Sequence, residues 1–246
     1  MLEAQRDARG LPPDQQSPRP RLENALRRDT VAVIAEIKRQ SPSKGPINPG
    51  LDALVQARLY ASGGAAALSI LTEPAMFGGS NDDVILARDA GLPILKKDFH
   101  VSEAQLVEAS EIGASAALII VRAIEPGRLV PLAAAAREID LEIIFEIRDE
   151  AELDRALEAG AIMIGVNNRN LETLEMDPTT VPRILPLIPG NCVAIAESGY
   201  STADDVASAA AAGADAVLIG SSLSASVDPQ AAVAELSAIP RSKTRR

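Results

Sequence analysis

Residues 31–45, VAVIAEIKRQSPSKG, decide how the rest of the chain is read. Val31, Val33, Ile34 and Ile37 form a β-branched apolar run of the kind that makes a buried strand. Glu36 and Lys38 interrupt the run at its C-terminal end, and on an extended chain their i, i+2 spacing points both side chains to one face. Ser41-Pro42-Ser43 then stops the strand, because proline cannot donate to a ladder and restricts the residue before it. A carboxylate and an ammonium sharing a face at the end of a buried strand are costly in a plain core. They are either a structural ion pair or part of a site, and the other strands decide which.

Outward from this stretch the pattern repeats. Apolar runs stand at AAALSIL (65–71), LPILKK (92–97), SAALIIV (115–121), LEIIFEI (141–147), AIMIGV (161–166), CVAIAE (192–197) and AVLIG (216–220), which with the first makes eight. Segments with helical patterning lie between them, among them LDALVQARLYAS, SEAQLVEASEIG, AELDRALEAG and ADDVASAAAAG. Gly63, Gly91, Gly113, Gly160 and Gly213 fall where helices end and are expected as C-caps. Ser102, Asp149 and Thr202 are the candidate N-caps. Continuous apolar strands alternating with helices predict a parallel sheet covered by helices.

Eight such units fit a closed (β/α)8 barrel, with a doubly wound open sheet as the alternative. The polar residues separate the two. Glu36 and Lys38, Lys97, Glu146, Asn167 and Glu197 stand at the C-terminal ends of strands 1, 3, 5, 6 and 7. An open sheet gathers ligand groups at one switch point, whereas a barrel brings every C-terminal end to one mouth. The expected fold is therefore α/β, a (β/α)8 TIM barrel forming a single catalytic domain over residues 31–240. Residues 1–30 are expected to be a short, partly mobile arm, with RLENALRRD as a candidate helix.

Composition narrows the function classes. At 246 residues, 47% hydrophobic and 24% charged, the chain is long enough for a full core. No apolar run approaches the roughly 20 residues needed to span a bilayer. The opening MLEAQRDARGLPPDQQ lacks the apolar centre of a secretory signal, so the chain reads as soluble and cytoplasmic. A net charge of −10 and 2% aromatics are wrong for a nucleic-acid surface. The single cysteine, Cys192, excludes an internal disulfide and reads as a small core residue. With no Cys/His/Asp cluster at metal-ligand spacing and no dinucleotide fingerprint, no metal and no cofactor are expected.

Two glycine turns point to phosphate. Glu197-Ser198-Gly199 follows strand 7 and Gly220-Ser221-Ser222 follows strand 8, where barrels commonly cradle a phosphate on free backbone N–H groups. Lys97 and Lys96 alternate faces, and Lys96 is the better candidate for an outward, snorkelling lysine. Glu146, embedded in IIFEI, needs a partner or a raised pKa. Asn167 and Asn168 suit turns, and Arg169 suits a carboxylate. His100, the only histidine, shows no evident geometry for a general base.

These residues resemble a known family. AEIKRQSPSKG, ILTEPAMFGGS, LPILKKDF, IGVNNRNLETLEMD, AESGYST and LIGSSL read in order like indole-3-glycerol-phosphate synthase, from about residue 31 to about 237. The resemblance implies a carboxy-lyase of tryptophan biosynthesis. Its substrate would be 1-(2-carboxyphenylamino)-1-deoxyribulose 5-phosphate, closed to indole-3-glycerol phosphate with loss of carbon dioxide and water. It assigns Lys97 as the general acid, Glu146 as the acidic residue of ring closure or dehydration, and Glu36 and Lys38 as the catalytic pair of strand 1. Asn167 joins them. Ser41, Arg169 and Glu197 would line the substrate, with Phe77, Phe99, Leu118 and Leu174 against the anthranilate ring. Ser198, Gly199, Gly220 and Ser221 would hold the phosphate. The implied partner is a small phosphorylated molecule, with neither nucleic acid nor membrane, and the chain a monomer or weak homo-oligomer.

The sequence departs from the family pattern in three places. The segment before strand 1 is shorter than in many members, where an extra helix helps cover the substrate. Arg148 stands where many carry histidine or asparagine, and Arg122 where small or apolar residues are frequent. Two rival functions use the same fold. Phosphoribosylanthranilate isomerase pairs a cysteine on strand 1 with an aspartate, whereas here strand 1 carries Glu36 and Lys38 and Cys192 falls on strand 7. A non-catalytic barrel would not need every catalytic position filled.

Overall fold

The computed structural model describes residues 19–242. Eight parallel strands close into a barrel: β1 (Ala32–Ile37), β2 (Ala67–Leu71), β3 (Ile94–Lys97), β4 (Ala116–Ile120), β5 (Glu142–Ile147), β6 (Met163–Asn167), β7 (Val193–Glu197) and β8 (Ala216–Ile219). Each pairs with the next in sequence, and β8 pairs with β1 through Ala32↔Ala216 to Ala35↔Ile219. The open doubly wound alternative is thereby excluded. A hairpin of Gln40–Ser41 with Gly45–Pro46 follows β1 at the rim.

Strand alternation divides the core in two. Ala32, Ile34, Leu95, Leu118, Ile144, Met163, Ile195 and Leu218 belong to a cluster inside the barrel. Val31, Val33, Ala35, Ile37, Ile94, Ile119, Phe145, Val166 and Ala196 pack outward against the helices. The helix ends use the expected N-caps: Asp149 Oδ1 accepts from Glu152 N at 2.9 Å, and Thr202 forms a capping box with Asp205. Ser102 pairs likewise with Gln105.

All but one of the C-terminal glycines take the expected left-handed conformation, and Gly63 caps its helix without it. Gly91, Gly113, Gly160 and Gly213 take positive φ, but Gly63 does not, at −77°. The left-handed residue there is Gly64, φ 89°. Gly63 is glycine because of packing: a Cβ would lie 2.5 Å from the carbonyl oxygen of Gln230 and 2.8 Å from Val233 Cβ. Close approach of helix Pro229–Ser237 selects it.

The residues before β1 bind to the N-terminal end of the barrel. The candidate helix forms over Leu22–Leu26, and Leu22 and Leu26 are fully buried within the interior cluster. Glu142, inward at the start of β5, accepts from the N–H groups of Leu22 (2.5 Å) and Glu23 (3.2 Å). Arg19 donates to Ser110 Oγ at 2.6 Å and to the carbonyls of Ser110, Ala114, Ile139 and Asp140 at 3.1–3.3 Å. The rest of the expected arm, residues 1–18, lies outside the described residues. Among the described residues no helix is long and apolar enough to cross a membrane.

Candidate active site

The opposite end is polar. The charged and amide residues expected on β1, β3, β5, β6 and β7 reach the C-terminal end by the same alternation that fills the interior below. Glu36 continues the inward series Ala32, Ile34 on β1, and its carboxylate forms an ion pair with Lys38. Ser69 Oγ on β2 donates to Glu36 Oε2 at 3.3 Å. The Glu36 carbonyl accepts from Tyr60 Oη at 3.2 Å and Ser224 Oγ at 2.9 Å, and Ser224 Oγ also accepts from Lys38 N at 3.1 Å. The end of β1 is therefore fixed through both its backbone and its carboxylate.

Lys97 and Lys96 separate as alternation requires. Lys97 Nζ stands 3.5 Å from Glu146 Oε2 at the mouth. Burial works against its charge, but the carboxylates of Glu146, Glu197 and Glu36 outweigh it and hold the ammonium above the usual lysine range. Lys96 turns outward, with Glu108 Oε2 at 2.9 Å on helix Glu103–Glu111 and Asp98 Oδ2 at 3.7 Å. It is outward without being a surface lysine, because at 2% exposure it lies under that helix.

Glu146 and Glu197 are both buried. Burial, then repulsion from Glu146, push the Glu197 carboxyl well above the ordinary range, with Lys97 opposing. Glu146 Oε2 and Glu197 Oε1 accept no hydrogen bond among the described residues. Two carboxyls this close share a proton more readily than they carry two charges. The site thus sets the Lys97 ammonium beside a Glu197 carboxyl whose protonated form is favoured.

A cleft of about 570 Å³ opens over these groups. Glu36, Lys38, Ser41, Lys97, Asn167, Arg169 and Glu197 line it, as do all four residues expected at the phosphate, Ser198, Gly199, Gly220 and Ser221. Ser198 and Gly199 take φ of 66° and 93°, a turn in which a glycine relieves real strain. Ser222 Oγ, also lining the cleft, is buried without a partner among the described residues.

The chain as a whole is similar to known proteins. A family model described as indole-3-glycerol phosphate synthase matches residues 2–236. The indole-3-glycerol phosphate synthase of Streptomyces griseus subsp. griseus is 47% identical over 213 residues, covering 86% of this chain and 79% of that protein. This chain belongs to the indole-3-glycerol phosphate synthase family. The Mycolicibacterium gilvum member is 46% identical over 213 residues, covering 86% and 78% of the two chains. Among solved structures, thiamine phosphate pyrophosphorylase from Pyrococcus furiosus superposes with a TM-score of 0.61 at 16% identity, covering 86% and 95%, a likeness of fold alone.

The expected apolar wall divides. Phe77 and Leu174 line the cleft together with Leu171, Met176 and Leu218. Phe99 and Leu118 are not among the lining residues. Leu118 is buried in the barrel interior, where β4 alternation places it, and Phe99 is 39% exposed beyond β3. His100 stays away from the cleft as well. Its Nδ1 lies 2.8 Å from the Leu118 carbonyl, and burial, then nearby Lys96, lower its pKa to about 4.

Gly220 has a further reason to be glycine. Its φ is −115°, open to any residue, but a Cβ would meet Glu36 Oε1 at 2.1 Å and Lys38 Nζ at 3.2 Å. The glycine leaves room for the strand 1 ion pair as well as standing in the turn expected at the phosphate.

Further residues brace the site, of which Arg39 carries no signal in the sequence. Asn168 braces the β6 and β7 ends, donating to the Ser198 carbonyl at 3.1 Å and accepting from Val181 N at 3.0 Å. Arg39 donates to both oxygens of Asp83 and to the carbonyls of Gly78 and Leu51, tying the first two rim loops together. Arg122 is neutralised by Glu152 at 2.6 Å and Asp149 at 3.4 Å, and Arg148 Nε donates to the Asn167 carbonyl at 3.2 Å. The departures from the family pattern are thus absorbed as supports. Asn167 Oδ1 accepts from Arg169 N at 2.9 Å, and Arg169 Nη1 donates to the Leu174 carbonyl at 2.8 Å, holding the loop over the cleft.

Proposed function

We propose that this mouth closes the indole ring of 1-(2-carboxyphenylamino)-1-deoxyribulose 5-phosphate, with the roles divided by charge. Family membership supports the reaction, and the observation that carries the assignment is the Lys97 ammonium held among Glu146, Glu197 and Glu36 inside the cleft. The ring carbon bearing the carboxylate attacks the ribulose carbonyl. Lys97 hydrogen-bonds the carbonyl oxygen, and because carboxylates hold its proton tightly, transfer follows once the much more basic alkoxide forms. Carbon dioxide leaves and aromaticity returns.

Water loss then needs an acid for the hydroxyl and a base for a proton of the methylene beside nitrogen. Glu197, whose carboxyl is pushed toward its protonated form, is the acid, and Glu146 beside it is the base. Lys38, partly neutralised by Glu36, and Arg169 face the substrate's anionic groups. Ser198–Gly199 and Gly220–Ser222 take the phosphate, and the buried, unpartnered Ser222 Oγ is a donor ready for it. Phe77, Leu171 and Leu174 pack on the aromatic ring.

The test is direct. The purified protein, given this substrate, should produce indoleglycerol fluorescence together with one carbon dioxide per turnover. Substrate held unchanged would leave a binding protein and remove the catalytic reading.

A further inference from the structure

Gly165 stands mid-strand on β6, in register with Glu146 on β5 and Ile195 on β7. Its backbone does not demand glycine, since its φ lies outside the left-handed region. A strand interior is also a place where glycine weakens the fold relative to alanine. The neighbour demands it. A Cβ at this position would lie 2.0 Å from Glu197 Oε1 and 3.1 Å from the Glu197 carboxyl carbon.

The register explains why this matters. Glu197 pairs with Asn167, two residues further along than the Gly165↔Ile195 pair. Its side chain therefore reaches back down the interior and rests on Gly165, in the row that carries Glu146. A side chain at 165 would occupy the space in which the Glu197 carboxyl rests.

We propose that Gly165 is a positioning residue: the space left by its missing side chain seats the Glu197 carboxyl beside Glu146 and Lys97. This rests on the activity proposed above. The groups facing that carboxyl are Glu146 from β5, Lys97 from β3 and Glu36 from β1. One competing reading exists, because the added Cβ would also meet Ile144 Cγ2 at 3.2 Å, so that crowding of Ile144 rather than of Glu197 selects the glycine.

The full chain tests it. Gly165→Ala should lower kcat about 100-fold, the cost of a misplacement of about 1 Å, with KM changed by less than about threefold. Its pH–rate profile should shift with it. Glu197→Asp is one methylene shorter and clears the added methyl, so Gly165→Ala/Glu197→Asp should be no slower than Glu197→Asp alone. Ile144→Leu removes the Cγ2 branch and should not restore Gly165→Ala. The proposal is overturned by losses that multiply in the double variant, by restoration through Ile144→Leu, or by Gly165→Ala activity within about twofold of wild type. An infrared band of the protonated Glu197 carboxyl, identified by its loss in Glu197→Gln, gives a readout independent of turnover. It should move in Gly165→Ala, and an unmoved band equally overturns the proposal. If Gly165→Ala alone fails to fold, Glu197→Asp must restore folding for the seat to stand. An inactive wild type whose band still moves would defeat the functional reading and leave the seat in place.

Discussion

The two ends of this barrel solve opposite problems with the same strands. At the N-terminal end, Leu22 and Leu26 enter the interior and Glu142 spends its carboxylate on backbone N–H groups. There the buried charge is fully used. At the C-terminal end, Lys97, Glu146, Glu197 and the Glu36–Lys38 pair crowd together, and some of their oxygens have no hydrogen bond among the described residues. Such groups cost stability and are kept for chemistry. Glu142 and Glu146 make the contrast on one strand, being four residues apart on the same inward face.

The largest effect that would break this comparison is at the mouth. Lys97→Ala should lower kcat on the order of 10²–10⁴-fold at saturating substrate, the usual loss for a general acid. Steady-state kinetics that retain most of kcat would mean that the mouth does not use its ammonium.

At the other end the expected loss is in stability. Leu26→Ala should cost roughly 2–5 kcal/mol by denaturant unfolding, as for other large-to-small changes at buried sites. The kcat of the folded fraction should stay at the wild-type value. A parallel fall in kcat would show the two ends coupled.

His100 sharpens the boundary, since it follows β3 at the charged end yet is buried away from the cleft. Its pKa is lowered from 6.5 to about 4. A depressed histidine contributes stability that is present above the unfolded value and is lost as pH falls through the folded one. The melting temperature of wild type should therefore drop between pH 6.5 and pH 4 by more than that of His100→Gln. The difference corresponds to at most about 3 kcal/mol. Identical pH slopes would show that the imidazole is not held neutral.

Lys96→Ala should have the smallest effect. Glu108 is half exposed and recovers solvent, while Asp98 keeps its bond to the Phe99 N–H at 2.8 Å. A stability loss of about 1 kcal/mol and an unchanged kcat are expected. A dead Lys96→Ala would mean that β3 is read one residue out of register.

Much of this was legible in the sequence because it depends on period-two alternation and on residue types. All eight apolar runs became strands, and Glu36, Lys38, Lys97, Asn167 and Glu197 reached one mouth as their strand ends required. What escaped depends on which side chain lies across a neighbouring strand. Gly220 reads as a turn residue and nothing in its own strand marks Gly165, yet each is an empty volume for a glutamate on the adjacent strand. Phe99 and Leu118 had suitable chemistry, but alternation and a rim loop took them from the cleft. Lys96 was assigned outward correctly and exposed wrongly, because burial under helix Glu103–Glu111 is a tertiary fact. Docking of Leu22 and Leu26 likewise depends on a barrel mouth assembled from distant strands.

The seam between β1 and β8 also has a consequence for how the protein is made. Glu36 and Lys38 are made long before the groups that hold them, since Ser224 lies 186–188 residues later and the gap at Gly220 just ahead of it. A growing chain therefore carries its first barrel strand without those contacts until β8 and the turn after it have emerged. The barrel closes only when β8 meets β1, and a chain cut before β8 would carry Glu36 and Lys38 without the contacts that place them.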